Sequence, residues 1–121
     1  MRRELKLEVD LLEAPIAVVR LKGWVDSESA AALQKELDRM LDEGHDHLAL
    51  EMSGVEFMST AGWSALVGTL RRVRTRKGSM HLVALTKDVA DVYALLEFDK
   101  LMPRHLDLDE ALSAIRAGAP Q

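Results

Sequence analysis

The sequence predicts a single mixed α/β domain: a mostly parallel sheet with an N-terminal antiparallel hairpin and about four helices. Three observations lead there. Short apolar segments alternate with longer stretches whose apolar residues recur at helical spacing, and strands separated by helices pair in parallel through right-handed crossovers. The first two strand-like segments are joined only by Glu13-Ala14-Pro15, which suits a hairpin. The chain of 121 residues is enough for one core and too short for two, so one domain is expected over 1–121, with its folded part from about 4 to 116.

Taken in order, Leu5, Leu7, Val9 and Leu11 alternate with Lys6, Glu8 and Asp10, the pattern of a half-buried strand with one wet face. Ile16 to Leu21 reads as the second strand, ended by Lys22-Gly23. Trp24-Val25-Asp26 then leads into a helix, with Asp26 or Ser27 placed to accept its first free N–H groups. Ala30, Leu33, Leu37 and Leu41 form the buried stripe of that helix, and Gly44 stops it as a left-handed C′ residue. His47 to Met52 is a short central strand, followed by a turn at Ser53-Gly54. A helix launched at Ser59-Thr60 carries the stripe Trp63, Leu66, Val67, Leu70 and Val73 and ends before Gly78. Met80 to Leu85 is the next strand. Thr86 is expected to cap a helix that turns Val89, Val92, Leu95 and Leu96 inward. Residues 99–105 form a connection with room for a short strand, which Pro103 keeps at the margin of the sheet. Asp107 and Glu110 have capping-box spacing for a last helix with the stripe Leu108, Ala111, Leu112 and Ile115. Ala117 to Gln121 should fray.

Composition excludes several functions. Hydrophobic residues make up 48% and charged residues 30% of the chain, with a net charge of −4; that is a globular composition and argues against nucleic acid as a partner. With no cysteine, disulfides, thiolate nucleophiles and zinc–thiolate sites are ruled out. No apolar run approaches the roughly 18 residues a membrane span needs, and the charged start does not read as a signal peptide. A cytoplasmic location without membrane insertion follows by default.

The chain offers no catalytic set. His45 and His47 straddle a strand start and are not expected to share a metal, His81 and His105 have no partner in sequence, and no nucleophile elbow, phosphate loop or paired carboxylates appear. Neither a metal nor a cofactor is therefore expected. The run Arg71 to Lys77 is the one basic concentration, and it fits a solvated face at a helix C-terminus, where cations complement the dipole. Ser59 and Thr60 are more informative. They sit where a strand-to-helix loop meets a helix N-terminus, a position that welcomes negative charge. Either one hydroxyl simply caps the helix, or Thr60 (alternatively Ser59) accepts a phosphoryl group whose charge switches a binding surface. Phe57 and Trp63 are the expected core residues nearby. Met58 in the turn and Trp24 at the same end of the sheet are the candidates for an exposed binding surface.

The segment Gly23-Trp-Val-Asp26 and the run Leu48-Ala-Leu-Glu-Met-Ser-Gly-Val-Glu-Phe-Met-Ser-Thr-Ala-Gly62 resemble the STAS domain of bacterial anti-sigma-factor antagonists. The element order extends the resemblance from about residue 4 to residue 116. It implies a small α/β regulator, not an enzyme, that binds an anti-sigma factor with serine/threonine kinase activity and frees a sigma factor. Phosphorylation at the helix N-terminus breaks such a complex, and a PP2C-type phosphatase restores it. By the resemblance the phosphoacceptor falls on Thr60, Ser59 stands where aspartate is common, Ala61 where serine is common, and Gly62 is the helix-opening glycine. Asp26 corresponds to a loop aspartate near the acceptor. Trp24, Asp26, Met58, Ser59, Thr60, Gly62 and Trp63 are thus the expected partner-binding residues. STAS relatives also serve as accessory subunits of lipid-transport complexes or as scaffolds in stress signalling. Nucleotide binding, proposed for some, has no glycine-rich loop here to support it.

Overall fold

In the computed structural model, residues 3–13 and 15–118 are described. Lys6–Leu11 (β1) and Ile16–Val25 (β2) form the antiparallel hairpin, in register from Lys6 opposite Lys22 to Leu11 opposite Ala17. Three parallel strands follow: His47–Met58 (β3), Ser79–Val83 (β4) and Arg104–His105 (β5). The sheet order is β1-β2-β3-β4-β5, so each new strand adds beside the last. The crossovers are the helices Ser27–Asp42 (α1), Thr60–Thr75 (α2) and Lys87–Leu95 (α3), the last continued by a 3₁₀ turn at Phe98–Lys100; Leu108–Gly118 (α4) closes the chain.

Strand alternation divides the apolar residues between two layers. Ala17, Val19, Leu21 and Val25 of β2 and Leu48, Leu50 and Met52 of β3 join the main core, which α1 completes with Leu33 and Leu37, α2 with Leu66 and Leu70, and α3 with Val89 and Tyr93. Ile16, Val18 and Ala49 point the other way and meet Leu112 and Ile115 of α4. A sheet buried on both faces explains why its central strands read as apolar runs. Gly44 has φ +93° behind the C-cap Glu43, as expected of the residue that stops α1. The Asp107 carboxylate accepts Glu110 N–H at 2.9 Å at the start of α4.

Several expectations are corrected. Leu11 is 56% exposed although it pairs with Ala17 at the end of β1, and Leu12 packs in the opposite layer with Leu112 and Ile115 of α4. β2 does not stop at Lys22-Gly23 but runs through them to Val25, and Ser53-Gly54 lies inside β3 instead of forming a turn. Thr86 holds the N-cap position of α3 without capping it; its hydroxyl donates to Val55 O at 2.9 Å. In α3, Val92, Leu95 and Leu96 are exposed, Leu95 by 79%. Val89 and Tyr93, one turn apart, anchor this helix, and Tyr93 Oη donates to Met102 O. Of the residues expected to fray, Ala117 and Gly118 are helical, while 119–121 lie outside the described residues, as does Ala14 in the hairpin turn.

Candidate functional site

The site is built by the carboxyl ends of β2 and β3. The two strands pair at Arg20 with Glu51, Lys22 with Gly54, Gly23 with Val55 and Trp24 with Phe57. β3 therefore carries one extra residue on two occasions, and each extra residue reverses which face the next side chain takes. Inward positions consequently fall at Met52, Val55 and Met58, three apart instead of two. Gly23 sits at the second irregularity with φ +109°, and a Cβ there would lie 2.3 Å from Glu4 O; only glycine fits this bend. The strands end level, with Ser59 N–H donating to Val25 O at 2.8 Å. Asp26 and Ser59, the residues that follow them, each cap a helix.

At α1 the Asp26 carboxylate accepts Glu28 and Ser29 N–H at 3.1 and 3.0 Å, and Ser29 Oγ accepts Asp26 N–H at 2.9 Å, a reciprocal capping box. At α2 the N-cap is Ser59, whose Oγ accepts Gly62 N–H at 3.2 Å. Thr60 is the first helical residue, exposed, and its hydroxyl has no partner among the described residues. The two readings of the hydroxyl pair thus separate by residue: Ser59 caps, and Thr60 is free. The first turn of α2 contains no acidic side chain, so no carboxylate of its own offsets the positive end of its dipole.

The structure brings all seven expected partner-binding residues to one end of the sheet, but not all to the surface. Met58 is 8% and Trp63 4% exposed, which corrects the expectation of an exposed Met58; β3 continues as a strand to Met58, and its second bulge turns that residue inward. Gly62 is buried as well, with Val25 Cγ1 and Met58 Cγ only 2.8 and 2.9 Å from where a Cβ would stand, so it lets α2 lie close on the strands. Phe57, expected in the core, is instead 46% exposed. Its ring meets Trp24 edge-on at 5.6 Å, and neither belongs to a core cluster. This aromatic pair is the feature sequence reasoning missed; the signal that could have found it is the Gly23 and Gly54 pair, marking bulges inside continuous strands. Thr60 itself lines a groove of about 410 Å³ with Trp63, Ser64, Val67, Arg71, Leu96 and Phe98. Trp63 stacks beneath it on Phe98 at 5.0 Å.

Apart from Arg71, which lines that groove, the basic run lies elsewhere. Arg72 pairs with Asp42 at 2.6 Å and Arg76 with Asp46 at 2.6 Å, so part of it ties α2 to α1 and to the β3 approach. The histidines also differ from expectation: His81 and His105, without partners in sequence, are 2.9 Å apart between Nδ1 and Nε2. No cluster of three or more potential metal ligands exists among the described residues, and no helix among them is long and apolar enough to cross a membrane.

Comparison with known proteins agrees with this architecture. Over 117 residues, 97% of this chain and 100% of the relative, the sequence is 24% identical to BtrV of Bordetella bronchiseptica, named as a candidate anti-sigma factor antagonist. The crystal structure of an anti-sigma factor antagonist from Mycobacterium paratuberculosis superposes with a TM-score of 0.84 at 26% identity, covering 93% of this chain and 95% of that one. The antagonist SpoIIAA, solved in its unphosphorylated form, shares the fold at a TM-score of 0.81 and 16% identity, over 95% of this chain and 100% of its own. Residues 10–111 match the model of the STAS domain family. With that match over most of its length, and with the β2–β3 ends and the capped α2 arranged as described, the chain belongs to the STAS domain family.

Proposed function

We propose that this chain is an anti-sigma factor antagonist that binds an anti-sigma factor with kinase activity, frees a sigma factor, and is released when that kinase phosphorylates Thr60. Relatives named as anti-sigma factor antagonists match nearly the whole chain, and SpoIIAA has been solved in a phosphorylated form on a similar fold. The observation that carries the switch is the division of roles at α2: Ser59 holds the cap, so Thr60 can be modified without uncapping the helix. In the proposed transfer the Thr60 hydroxyl attacks the γ-phosphorus of ATP held by the kinase, loses its proton, and ADP departs. A PP2C-type phosphatase hydrolyses the ester and resets the protein.

The added phosphate brings close to two negative charges and three acceptor oxygens. With no acidic side chain in the first turn of α2 itself, the free N–H groups and the dipole receive it, so the fold tolerates it. The partner does not. Trp24, Phe57 and Asp26 stand at the same strand ends as Thr60, which itself lines the Leu96 groove, and a surface docked over both would bury the dianion. Even partial burial of an unpaired charge costs several kcal/mol, and each 1.4 kcal/mol is a tenfold loss of affinity. In this reading Met58, Gly62 and Trp63 support the surface from beneath.

Wild type, Thr60→Ala and Thr60→Glu used as baits in lysate of the source organism test the proposal. It expects a histidine-kinase-like ATPase with the first two and none with the third. Transporter subunits, or one partner set with all three baits, would overturn it in favour of an accessory or scaffold role.

A further inference from the structure

His47, His81 and His105 come from three neighbouring strands and meet on the α4 side of the sheet. His47 and His81 are 6% and 8% exposed. His81 Nδ1 lies 2.9 Å from His105 Nε2, with the two rings stacked at 5.1 Å, and His47 Nδ1 lies 2.8 Å from Ser79 Oγ. We propose that this cluster is an acid-sensitive latch: uncharged or singly charged it holds β5 and α4 on the sheet, and a second proton in the His81–His105 pair releases them.

The chemistry of imidazole sets the trigger. A hydrogen bond between two ring nitrogens needs one of them bare. With both rings protonated every ring nitrogen carries hydrogen, so the bond is lost and two cations remain stacked in a buried site. The surrounding groups compensate one charge and not two. From β3 the cluster faces His47, from the turn before β4 Lys77, and from α4 Ala114 and Ile115. The Glu110 carboxylate of α4 lies 3.8 Å from His105 Nδ1 and is the one carboxylate within ion-pair distance of the pair among the described residues. Burial pushes His81 down from 6.5 to about 4, and the charges of His105 and His47 add to this. A cavity of about 160 Å³ beside His47 and His81 gives water, and so the proton, access.

β5 and α4 are the elements that yield. β5 has two residues, paired only with Leu82 and Val83, and α4 is held by Ala111, Leu112 and Ile115; edge elements with few buried side chains open below the global unfolding free energy. The sign follows from linkage. Released His81 binds its proton at the ordinary pKa, closed His81 only near 4, so the closed form is fully favoured above about pH 6.5 and loses ground as pH falls toward 4.

Amide hydrogen exchange of residues 108–118 at pH 7.5 and pH 5.0, corrected for the intrinsic pH dependence of exchange, tests the latch. α4 should lose protection about thirtyfold, the ratio those two pKa values set at pH 5.0, and should exchange faster than α2 at both pH values. His81→Phe, and His81→Gln if the larger ring disturbs packing, should abolish most of the loss, whereas His45→Gln should keep it. Equal α4 protection at the two pH values, an undiminished loss in both His81 variants, or identical protection of α4 and α2 would each overturn the proposal.

Discussion

An exposed helix start needs an oxygen to accept a free N–H, and at α2 the Ser59 hydroxyl supplies it, 3.2 Å from Gly62 N. Thr60 has no such duty, which leaves its hydroxyl available to a kinase. The two substitutions should therefore differ. Ser59→Ala should lower stability by about 1 kcal/mol, as loss of a cap does, and Thr60→Ala by less than about 0.5 kcal/mol, both read from urea midpoints at constant slope. Equal losses would mean that the hydroxyls share the cap. At this scale the sequence located the pair but could not assign the roles, because Ser and Thr are both good caps and one residue of shift in the helix start exchanges them. Phe57 and Met58 exchanged places for a related reason. Breaking the strand at Ser53-Gly54 discards the alternation that would carry Met58 inward.

Among the elements, the parallel strands as far as Leu21 and Met52 and the helices between them were legible from periodicity, and Asp26, Gly44 and Asp107 mark helix ends where the sequence placed them. Two features were not. Glycine in a strand reads as a terminator unless a neighbouring backbone demands it, and at Gly23 that demand comes from Glu4 O, a contact made only in the folded hairpin. In α3 the apolar count is right but the inner face is not: Tyr93, through its bond to Met102 O, outcompetes the leucines for the core and leaves Leu95 and Leu96 in water. Exposed leucines contribute little to folding, so Leu96→Ser should change stability by less than about 0.5 kcal/mol. In the proposed function it should nevertheless weaken capture of the anti-sigma factor by about tenfold, since Leu96 lines the groove with Thr60 and covering its exposed half would be worth about 1.4 kcal/mol. Unchanged affinity would remove this groove from the interface.

Across the whole molecule two regions of the sheet have different characters. The carboxyl ends of β2 and β3 carry the aromatic pair, the free hydroxyl and a helix start with no carboxylate of its own, while the α4 face of the sheet holds the histidines. In the proposed switch a charge at Thr60 would act on what docks there and not on the core, whose residues lie behind Met58 and Trp63. The most direct measurement is a calorimetric titration of the captured anti-sigma factor with wild type, Thr60→Ala, Thr60→Glu and the Thr60-phosphorylated protein. The account predicts equal affinity for the first two, at least tenfold weaker binding of the glutamate form and at least hundredfold weaker binding of the phosphorylated form. Binding of the phosphorylated protein as tight as wild type would contradict it.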